Sequence, residues 1–148
     1  MSTLQIARPE DIDRLEPLVA AYHAHEGIET SADQRRAALA PLLEGTPHGV
    51  AYLIGPKVAP VGYIVISFGY SVELGGIDGF IDEFFIRERV RGRGMGSEVL
   101  MSLLPALSQH GVKALHLEID RDNDTARRLY RRAGFEPREK YHLMTRTA

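Results

Sequence analysis

Apolar residues recur every three to four positions from Ile12 to Tyr22 and again from Val99 to Leu107. This is the period of a helix with one buried face, so both stretches are predicted to be helical. Proline suits the first turn of a helix, so Arg8-Pro9 is expected to start the first one. Pro105 lies inside the second stretch, where it predicts a bend or a local break.

Polar caps and glycines mark the ends of the helices. Ser31 to Gln34 has the pattern of a capping box, which predicts a second helix that reaches about Leu43. Asn123 is a candidate N-cap for a last helix, which Gly134 is expected to end. Glycines are expected to bound the other helices at Gly27, Gly94 and Gly111.

Strands are predicted where β-branched and aromatic residues cluster between turn residues. These segments are Leu4–Ala7, Val50–Ile54, Val61–Phe68, Phe80–Ile86 and Val112–Ile119, with one or two closing strands within Phe135–Thr145. The segment from Gly69 to Gly79 contains Gly75-Gly76 and is expected to be a loop. The strand–helix–strand unit from Phe80 to Ile119 predicts parallel pairing in that part of the sheet. No repeat or linker interrupts the chain, so residues 1–148 are predicted to form a single domain.

Composition excludes several classes of protein. The chain has 148 residues, of which 44% are hydrophobic, enough for one core. It has no cysteine, which excludes disulfides, thiolate zinc sites and a cysteine nucleophile. His23 and His25 are two positions apart and would not share a helix face, so no metal site is expected. There is no apolar run of about 20 residues and no signal-peptide pattern, so we expect a cytoplasmic protein without a membrane partner.

Charge is distributed unevenly along the chain. Residues 1–86 hold five basic and twelve acidic residues, a net of −7, whereas residues 87–148 hold thirteen basic and eight acidic residues, a net of +5. Such a chain could bind an anionic ligand at one end and a cationic ligand at the other. The alternative is that these charges are solvated surface groups divided by chance.

The sequence Arg91-Gly92-Arg93-Gly94-Met95-Gly96 lies between the strand predicted to end at Ile86 and the helix that follows. Alternate glycines permit left-handed backbone angles and the close approach of a ligand. Backbone N–H groups and the helix N-terminus would then face one concavity, which suits a pyrophosphate. The glycine spacing differs from that of a dinucleotide-binding motif, and no P-loop lysine is present. By itself, the loop is better explained as a tight turn that needs glycine.

Two motifs in the right order indicate a family. Arg91-x-x-Gly94-x-Gly96, after a strand, resembles the acetyl-coenzyme A motif of the GNAT superfamily of N-acetyltransferases. About thirty residues later, Asn123-x-x-Ala126-x-x-Leu129-Tyr130-x-x-x-Gly134-Phe135 resembles the second signature of that superfamily. The stretch from Phe68 to Phe135 looks most like the diamine (spermidine/spermine) branch, whereas the first half of the chain matches that branch only loosely.

The resemblance implies an α/β fold of the α+β type. Its features would be a mixed, twisted sheet of six to seven strands, helices on both faces, and a splayed central strand pair that ends near Ile86 and Ile119. Acetyl-CoA would lie in the gap as co-substrate, without a metal. The resemblance also implies a homodimer, with a C-terminal strand from His142 at the interface.

The resemblance assigns a set of residues to the coenzyme. They are Phe84, Phe85, Ile86, Arg91, Gly92, Arg93, Gly94, Met95, Gly96, Ser97, Asn123, Ala126 and Tyr130. Asn123 is also explained as a helix N-cap, and the side chains of Phe84 to Ile86 are also explained as ordinary core.

Acetyl transfer to an amine needs a base for the amine proton, a polarised thioester carbonyl and an acid for the leaving thiolate. Neighbours in a strand point to opposite faces, so only one of Asp82 and Glu83 is expected in a given cleft unless a bulge re-aims it. By the resemblance, Asp82 takes the position of a glutamate that acts on the amine. The shorter side chain makes a bridging water more necessary, and Glu83 is a backup base or an ammonium-binding group. The alternative is that both acids end a strand and pair with nearby arginines.

The resemblance matches Tyr130 to the general acid for the coenzyme thiolate, whereas helical periodicity alone explains it as a core aromatic. Tyr22, His23 and Glu26, together with Asp82, are matched to the acceptor site. His23 replaces an acid of the diamine branch, which puts polyamine specificity in doubt. The alternative is that Tyr22, His23 and Glu26 are surface residues at the end of a helix.

The leading hypothesis is an acetyl-CoA-dependent N-acetyltransferase that acts on a small cationic amine. A related enzyme would instead accept an amino acid, an aminoglycoside-like amine or a protein N-terminus. A non-catalytic acyl-CoA-binding module is a further alternative, but the presence of both Asp82 and Tyr130 argues against it. Nucleic-acid binding through the arginines of the last helix conflicts with the pI of about 6.3, so no nucleic-acid partner is expected.

Overall fold

A computed structural model describes residues 4–148, which form two compact units that divide between Glu118 and Ile119. The first unit holds a five-stranded sheet and three α-helices, and the second holds one α-helix and the chain that follows it. The strands are β1 (Leu4–Ile6), β2 (Gly49–Ile54), β3 (Gly62–Ser71), β4 (Gly76–Ile86) and β5 (Leu115–His116). The helices are α1 (Ile12–Glu26), α2 (Ala32–Glu44), α3 (Met95–Gln109) and α4 (Asp124–Arg132).

The sheet has the order β1-β2-β3-β4-β5 and is mixed. The first four strands pair in antiparallel fashion, whereas β4 and β5 pair in parallel on either side of the α3 crossover. This confirms the predicted α+β class and the position of the parallel pair. It also confirms the splayed centre, because β4 and β5 pair only at Gly79–Leu115 and Phe80–His116. Residues 81–86 of β4 continue without a β5 partner.

The main core lies between α1, α2 and one face of the sheet. Its buried side chains come from α1 and α2 and from β2, β3 and β4, and they include Leu15, Leu18, Leu39, Leu43, Leu53, Tyr63, Val65 and Phe85. Side chains alternate along a strand, so Ile64 and Ile66 of β3 point to the opposite face, where both are fully buried. The apolar side of α3 is also buried, through Val99, Leu100, Leu103 and Leu107, as expected of a crossover helix that covers this second face.

The predicted caps are confirmed. The Ser31 hydroxyl accepts a hydrogen bond from the Gln34 N–H, and the Gln34 side chain accepts one from the Ser31 N–H, which makes the capping box at the start of α2. The Asn123 side chain accepts from the Ala126 N–H at the start of α4. Gly27 takes a left-handed conformation at the end of α1. These local signals bounded the helices correctly because each satisfies backbone groups at a helix end.

Three predictions about strands are wrong. The segment from Gly69 to Gly79 is not a loop, because β3 extends to Ser71 and β4 begins at Gly76, which leaves only residues 72–75 in the turn. The strand expected over Val112–Ile119 shrinks to the two residues of β5, since β4 diverges from it. The closing strands expected within Phe135–Thr145 are absent from the described residues 133–148.

The missing closing strands explain why the sheet has five strands rather than the expected six to seven. Residues 135–145 are mostly charged or polar, and the large apolar side chains among them, Tyr141, Leu143 and Met144, are exposed. A strand is stabilised by a buried face, which these side chains do not form. The interface strand expected from His142 is likewise absent from the described chain.

Pro105 does not break α3, which runs continuously from Met95 to Gln109. A proline in a helix deprives the carbonyl four residues earlier of its partner. That residue is Met101, whose side chain is exposed, so water can serve the freed carbonyl.

Candidate active site

A β-bulge lies at Asp82, in the middle of β4. Ile81 pairs with Ile66 and Glu83 pairs with Val65, so Asp82 has no partner across the strand pair. An extra residue of this kind re-aims the side chains around it. Both Asp82 and Glu83 then act electrostatically on Tyr22 of α1. The bulge thus brings to one place two carboxylates that a regular strand would separate.

The Glu83 carboxylate is bonded through both oxygens. Tyr63 of β3 donates its hydroxyl hydrogen to Glu83 Oε1 at 2.7 Å, and His23 Nε2 lies 2.6 Å from Glu83 Oε2. The side chains of His23 and Glu83 are 13% and 19% exposed, whereas Tyr63 is fully buried. Burial, and then the charge of Glu83, raise the pKa of Tyr63 well above its usual range, which keeps its hydroxyl a hydrogen-bond donor.

The other ring nitrogen of His23 is held by the segment between α1 and α2. His23 Nδ1 lies 2.8 Å from Thr30 Oγ1. Arg35 Nη1 donates to the carbonyl and the hydroxyl oxygen of Thr30, and Arg35 Nε donates to Glu16 Oε1 at 2.9 Å. A line of hydrogen bonds therefore runs from Glu16 on α1 to Tyr63 on β3.

Tyr22 lies against the rings of Tyr63 and Phe85, with ring centroids 6.3 and 6.1 Å away. Partial burial, and then the acidic groups Glu26, Glu83 and Asp82, raise the pKa of Tyr22 to about 12. The same three carboxyls would favour a cation beside Tyr22. This end of α1 is an acidic site with an aromatic wall.

Asp82 differs from Glu83 in its surroundings. Among the described residues, its carboxylate has no hydrogen-bond or ion-pair partner, and its surface reaches solvent. Partial desolvation, followed by repulsion from Glu83, raises the pKa of the Asp82 carboxyl above its usual value. Glu118 acts in the same direction, and His23 opposes the shift. A carboxyl with a raised pKa and no fixed partner is suited to taking up a proton.

The splayed end of β4 leads into the arginine-rich loop. Arg91 Nε donates to the Ile86 carbonyl at 2.6 Å, and its guanidinium lies 5.4 Å from the Phe85 ring centroid. Arg91 therefore links the loop to the acidic site through Phe85, which also contacts Tyr22. An open depression next to the loop is lined by Arg87, Glu88 and Arg89.

The left-handed glycines predicted in the loop are present. Gly92 has a φ of +78° and Gly94 a φ of +76°, and Gly94 is the N-cap of α3. Gly94 supplies no side-chain cap, so the N–H groups of the first turn, from Met95 to Ser97, lack that partner. Free N–H groups at a helix N-terminus form a binding site for an anion.

The second unit carries the other predicted coenzyme residues. Asn123 and Ala126 make the cap of α4. Tyr130 lies on α4 and contacts Phe135 edge to face, with ring centroids 5.6 Å apart. Both partners belong to the second predicted motif.

The structure brings together Tyr22, His23, Asp82 and Glu83, four of the residues that the resemblance matched to the acceptor amine or its proton. Glu26 lies at the rim, where it is exposed and 3.2 Å from His25 Nδ1. Tyr63 and Thr30 also belong to this cluster but were not predicted from the sequence. They are twenty residues from Glu83 and seven from His23, and no motif marks either position.

Residues 4–148 contain neither a cluster of metal-ligating side chains nor a membrane-spanning helix. No group of three or more histidine, aspartate or glutamate side chains is arranged to hold a metal ion. No helix in this range is long and apolar enough to cross a membrane.

Comparison with known proteins identifies the family of this chain. The profile of the acetyltransferase (GNAT) family matches residues 12–135. The chain therefore belongs to that family, as the two sequence motifs indicated.

Individual relatives agree with this assignment. The spermine/spermidine N(1)-acetyltransferase of Bacillus subtilis (strain 168) is 40% identical over 58 residues, which is 38% of this chain and 38% of that protein. An integron cassette protein from the mobile metagenome of Cole Harbour Salt Marsh is 32% identical, with a TM-score of 0.85 over 98% of this chain and 90% of its own. A protein described as a predicted acetyltransferase from Clostridium acetobutylicum, crystallised with acetyl-CoA, has a TM-score of 0.79. It is 17% identical over 98% of this chain and 96% of its own, so it shows the fold alone.

Proposed function

We propose that this protein transfers the acetyl group of acetyl-CoA to the primary amine of a small cationic acceptor. The main observation in support of this function is the bulge in β4. It sets Asp82 and Glu83 beside Tyr22, on the part of β4 that has lost its β5 partner. An acidic site next to an open strand edge suits a reaction between a cationic amine and a ligand bound along that edge.

The loop residues fit the anionic part of the coenzyme. Gly92 and Gly94 hold the backbone in a conformation that leaves room at both positions, since a Cβ there would meet nothing within 4 Å. Arg87, Arg89, Arg91 and Arg93 supply positive charge around the uncapped N-terminus of α3. Met95, Gly96 and Ser97 would donate backbone N–H groups to a pyrophosphate.

Family membership supports the remaining coenzyme contacts. The edge of β4 from Phe84 to Ile86 would offer backbone hydrogen bonds to the pantetheine arm. Asn123 and Ala126 are assigned to the coenzyme by their match to the family's second motif. Acetyl-CoA, when bound, supplies the thioester whose acetyl group is transferred.

Charge supports a cationic acceptor. Three carboxyls act on Tyr22, and residues 1–86 carry a net charge of −7. An ammonium group in this site replaces part of its hydration with favourable electrostatic interactions. The name of the Bacillus relative, a spermine/spermidine acetyltransferase, supports a polyamine, and spermidine is the first acceptor to test.

The two proton transfers are assigned to different residues. Asp82 accepts the proton of the acceptor ammonium, directly or through one water, because its carboxylate has no other partner among the described residues. The freed amine forms the new C–N bond as the C–S bond breaks, and the second proton, which the nitrogen loses as the amide forms, returns to the Tyr130 oxygen directly or through solvent. Tyr130 donates its hydroxyl proton to the departing sulfur, by its match to the family's general acid.

The proposal is tested by release of free thiol from acetyl-CoA with spermidine, lysine analogues, amino acids and peptides as acceptors. We expect release with spermidine, and a loss of roughly 10² or more in kcat in Tyr130→Phe. The matched control is Tyr141→Phe, which removes a hydroxyl from an exposed ring in the same unit. Thiol release only with an amino acid or a peptide would show that the acceptor is not a small cationic amine. Thiol release with none of these compounds would refute the proposed activity.

A further inference from the structure

The bulge gives two adjacent carboxylates different hydrogen-bond partners. Both oxygens of Glu83 are engaged, by Tyr63 at 2.7 Å and by His23 at 2.6 Å. Asp82 has no such partner among residues 4–148. A carboxylate held by two donors keeps its position, whereas one without a partner can turn and exchange a proton. The two acids are therefore suited to different tasks.

We propose that Glu83 is the fixed carboxylate that binds the acceptor's ammonium group, and that Tyr63, His23 and Thr30 are positioning residues that set acceptor affinity through it. This inference rests on the proposed function, because it requires the acidic site to bind an amine. It removes Glu83 from the role of backup base and leaves proton transfer to Asp82.

Glu83 keeps the capacity for one more partner. An ionised carboxylate has about four lone-pair sites, and the two described hydrogen bonds use one on each oxygen. Its side chain is 19% exposed, so an ammonium group can reach it from the site. Tyr22, on which Glu83 acts electrostatically, packs against the Phe85 ring, and ring surface of low polarity beside an ion pair strengthens it.

Tyr63 cannot act on the acceptor directly. It is fully buried, and its ring packs against Tyr22 and Phe85 in the main core. Any effect of its hydroxyl on acceptor binding must therefore pass through Glu83. Removing that hydroxyl with Tyr63→Phe keeps the ring contacts and frees Glu83 Oε1.

His23 holds the other oxygen, and Thr30 orients the His23 ring. An ionised Glu83 accepts hydrogen bonds only, so His23 Nε2 carries the hydrogen. Nδ1 then pairs with the Thr30 hydroxyl at 2.8 Å, in either the neutral or the charged form of the ring. Arg35 holds Thr30 in place by donating hydrogen bonds to the carbonyl oxygen and the hydroxyl oxygen of Thr30. The position of Glu83 thus depends on the segment between α1 and α2.

The test is steady-state thiol release with spermidine at saturating acetyl-CoA, for wild type, Tyr63→Phe, Thr30→Val and Glu83→Gln. We expect Tyr63→Phe and Thr30→Val to raise the KM for spermidine about fivefold, and Glu83→Gln to raise it more than about tenfold. The KM for acetyl-CoA should stay unchanged in all three, with kcat within about threefold of wild type. The matched control is Tyr52→Phe on β2, a partly buried tyrosine outside the site, which should leave every constant unchanged.

Two results would overturn the positioning role while the activity stands. One is a KM for spermidine in Tyr63→Phe equal to that in Tyr52→Phe. The other is a fall in kcat alone in Glu83→Gln, which would make Glu83 a proton-transfer group.

Spermidine binding by calorimetry separates this inference from the proposed activity. If the wild type binds spermidine but releases no thiol, the proposed activity fails, and weaker binding in Tyr63→Phe would still support the positioning role. Absence of binding in the wild type, or equal binding in wild type and Tyr63→Phe, would overturn the positioning role.

Discussion

At the scale of single residues, the site depends on an acid placed where its charge is unfavourable. The pKa of Asp82 is raised first by desolvation and then by Glu83, so the folded chain holds a proton at this carboxyl more tightly than the unfolded chain does. Stability from this group is therefore present at low pH and is lost as the pH rises through the raised pKa. A group that reduces stability at neutral pH is typical of a functional site.

Asp82→Asn should therefore raise the Tm at pH 7, since the amide removes a charge that the folded state disfavours. At a pH below the ordinary aspartate range the carboxyl is protonated in both states, so the two Tm values should converge. Thermal unfolding followed by circular dichroism at both pH values measures this. Asp122→Asn, at an exposed position, is the control. A lower Tm for Asp82→Asn at pH 7 would show that the Asp82 charge stabilises the fold.

At the scale of elements, α3 brings its N-terminus to the arginine-rich loop through a left-handed glycine. Gly94 precedes α3 with a φ of +76°, and Gly111 follows it with a φ of +87°. A Cβ at either position would meet nothing within 4 Å. Gly94 and Gly111 have similar backbone angles and similar space but lie at opposite ends of α3, so each is a control for substitution of the other.

Gly94→Ala and Gly111→Ala should each destabilise the protein by about 1 kcal/mol, since alanine disfavours the left-handed region. Only Gly94→Ala should also raise the KM for acetyl-CoA, by about fivefold or more, because the strain is relieved by moving the anion-binding turn. Denaturant unfolding and thiol-release kinetics measure the two effects. An equal KM in both variants would remove the loop from coenzyme binding.

The ends of the helices were predictable because the residues that mark them lie close in sequence to the backbone groups they bind. The capping box at Ser31 and the cap at Asn123 lie within four residues of the groups they satisfy, so the sequence alone placed those helix ends. The β3–β4 hairpin was missed because Gly75-Gly76 suggested a longer loop, whereas pairing of Ser71 with Gly76 continues the ladder to the turn. Pairing is decided by the partner strand, which a single segment does not reveal.

The residues of the candidate site were predictable only where they belong to a local sequence pattern. The motifs named Asp82, Glu83 and the glycine loop because these positions carry a family pattern. The bonds from Glu83 to Tyr63 and His23 span 20 and 60 residues. Only the folded arrangement of α1, β3 and β4 brings these side chains together.

At the scale of the whole molecule, charge is divided along the chain, with a net of −7 over residues 1–86 and +5 over residues 87–148. Under the proposed function, the acidic site would attract a cationic acceptor and the basic loop would attract the anionic coenzyme. The single domain, the homodimer and the cytoplasmic location stay predictions. Analytical ultracentrifugation would test the homodimer.

The acceptor's kcat/KM should fall as ionic strength rises, because salt screens exposed charges beyond about 10 Å at 0.1 M. The KM for acetyl-CoA should rise over the same range, while the Tm changes little. Thiol release with spermidine in increasing sodium chloride measures this. A kcat/KM for spermidine that is independent of salt would show that the acidic charge does not recruit the acceptor.

We propose Asp82 as the group that accepts the proton in an acetyl transfer to an amine. The most direct test is the pH dependence of kcat/KM for thiol release with spermidine, in wild type and Asp82→Asn. The wild type should lose activity as the pH falls through an inflection above the ordinary aspartate range, because the base must be ionised. Asp82→Asn should be slower by about 10² and should lack that inflection. An Asp82→Asn profile that matches the wild type at every pH would contradict the assignment of Asp82 as the base.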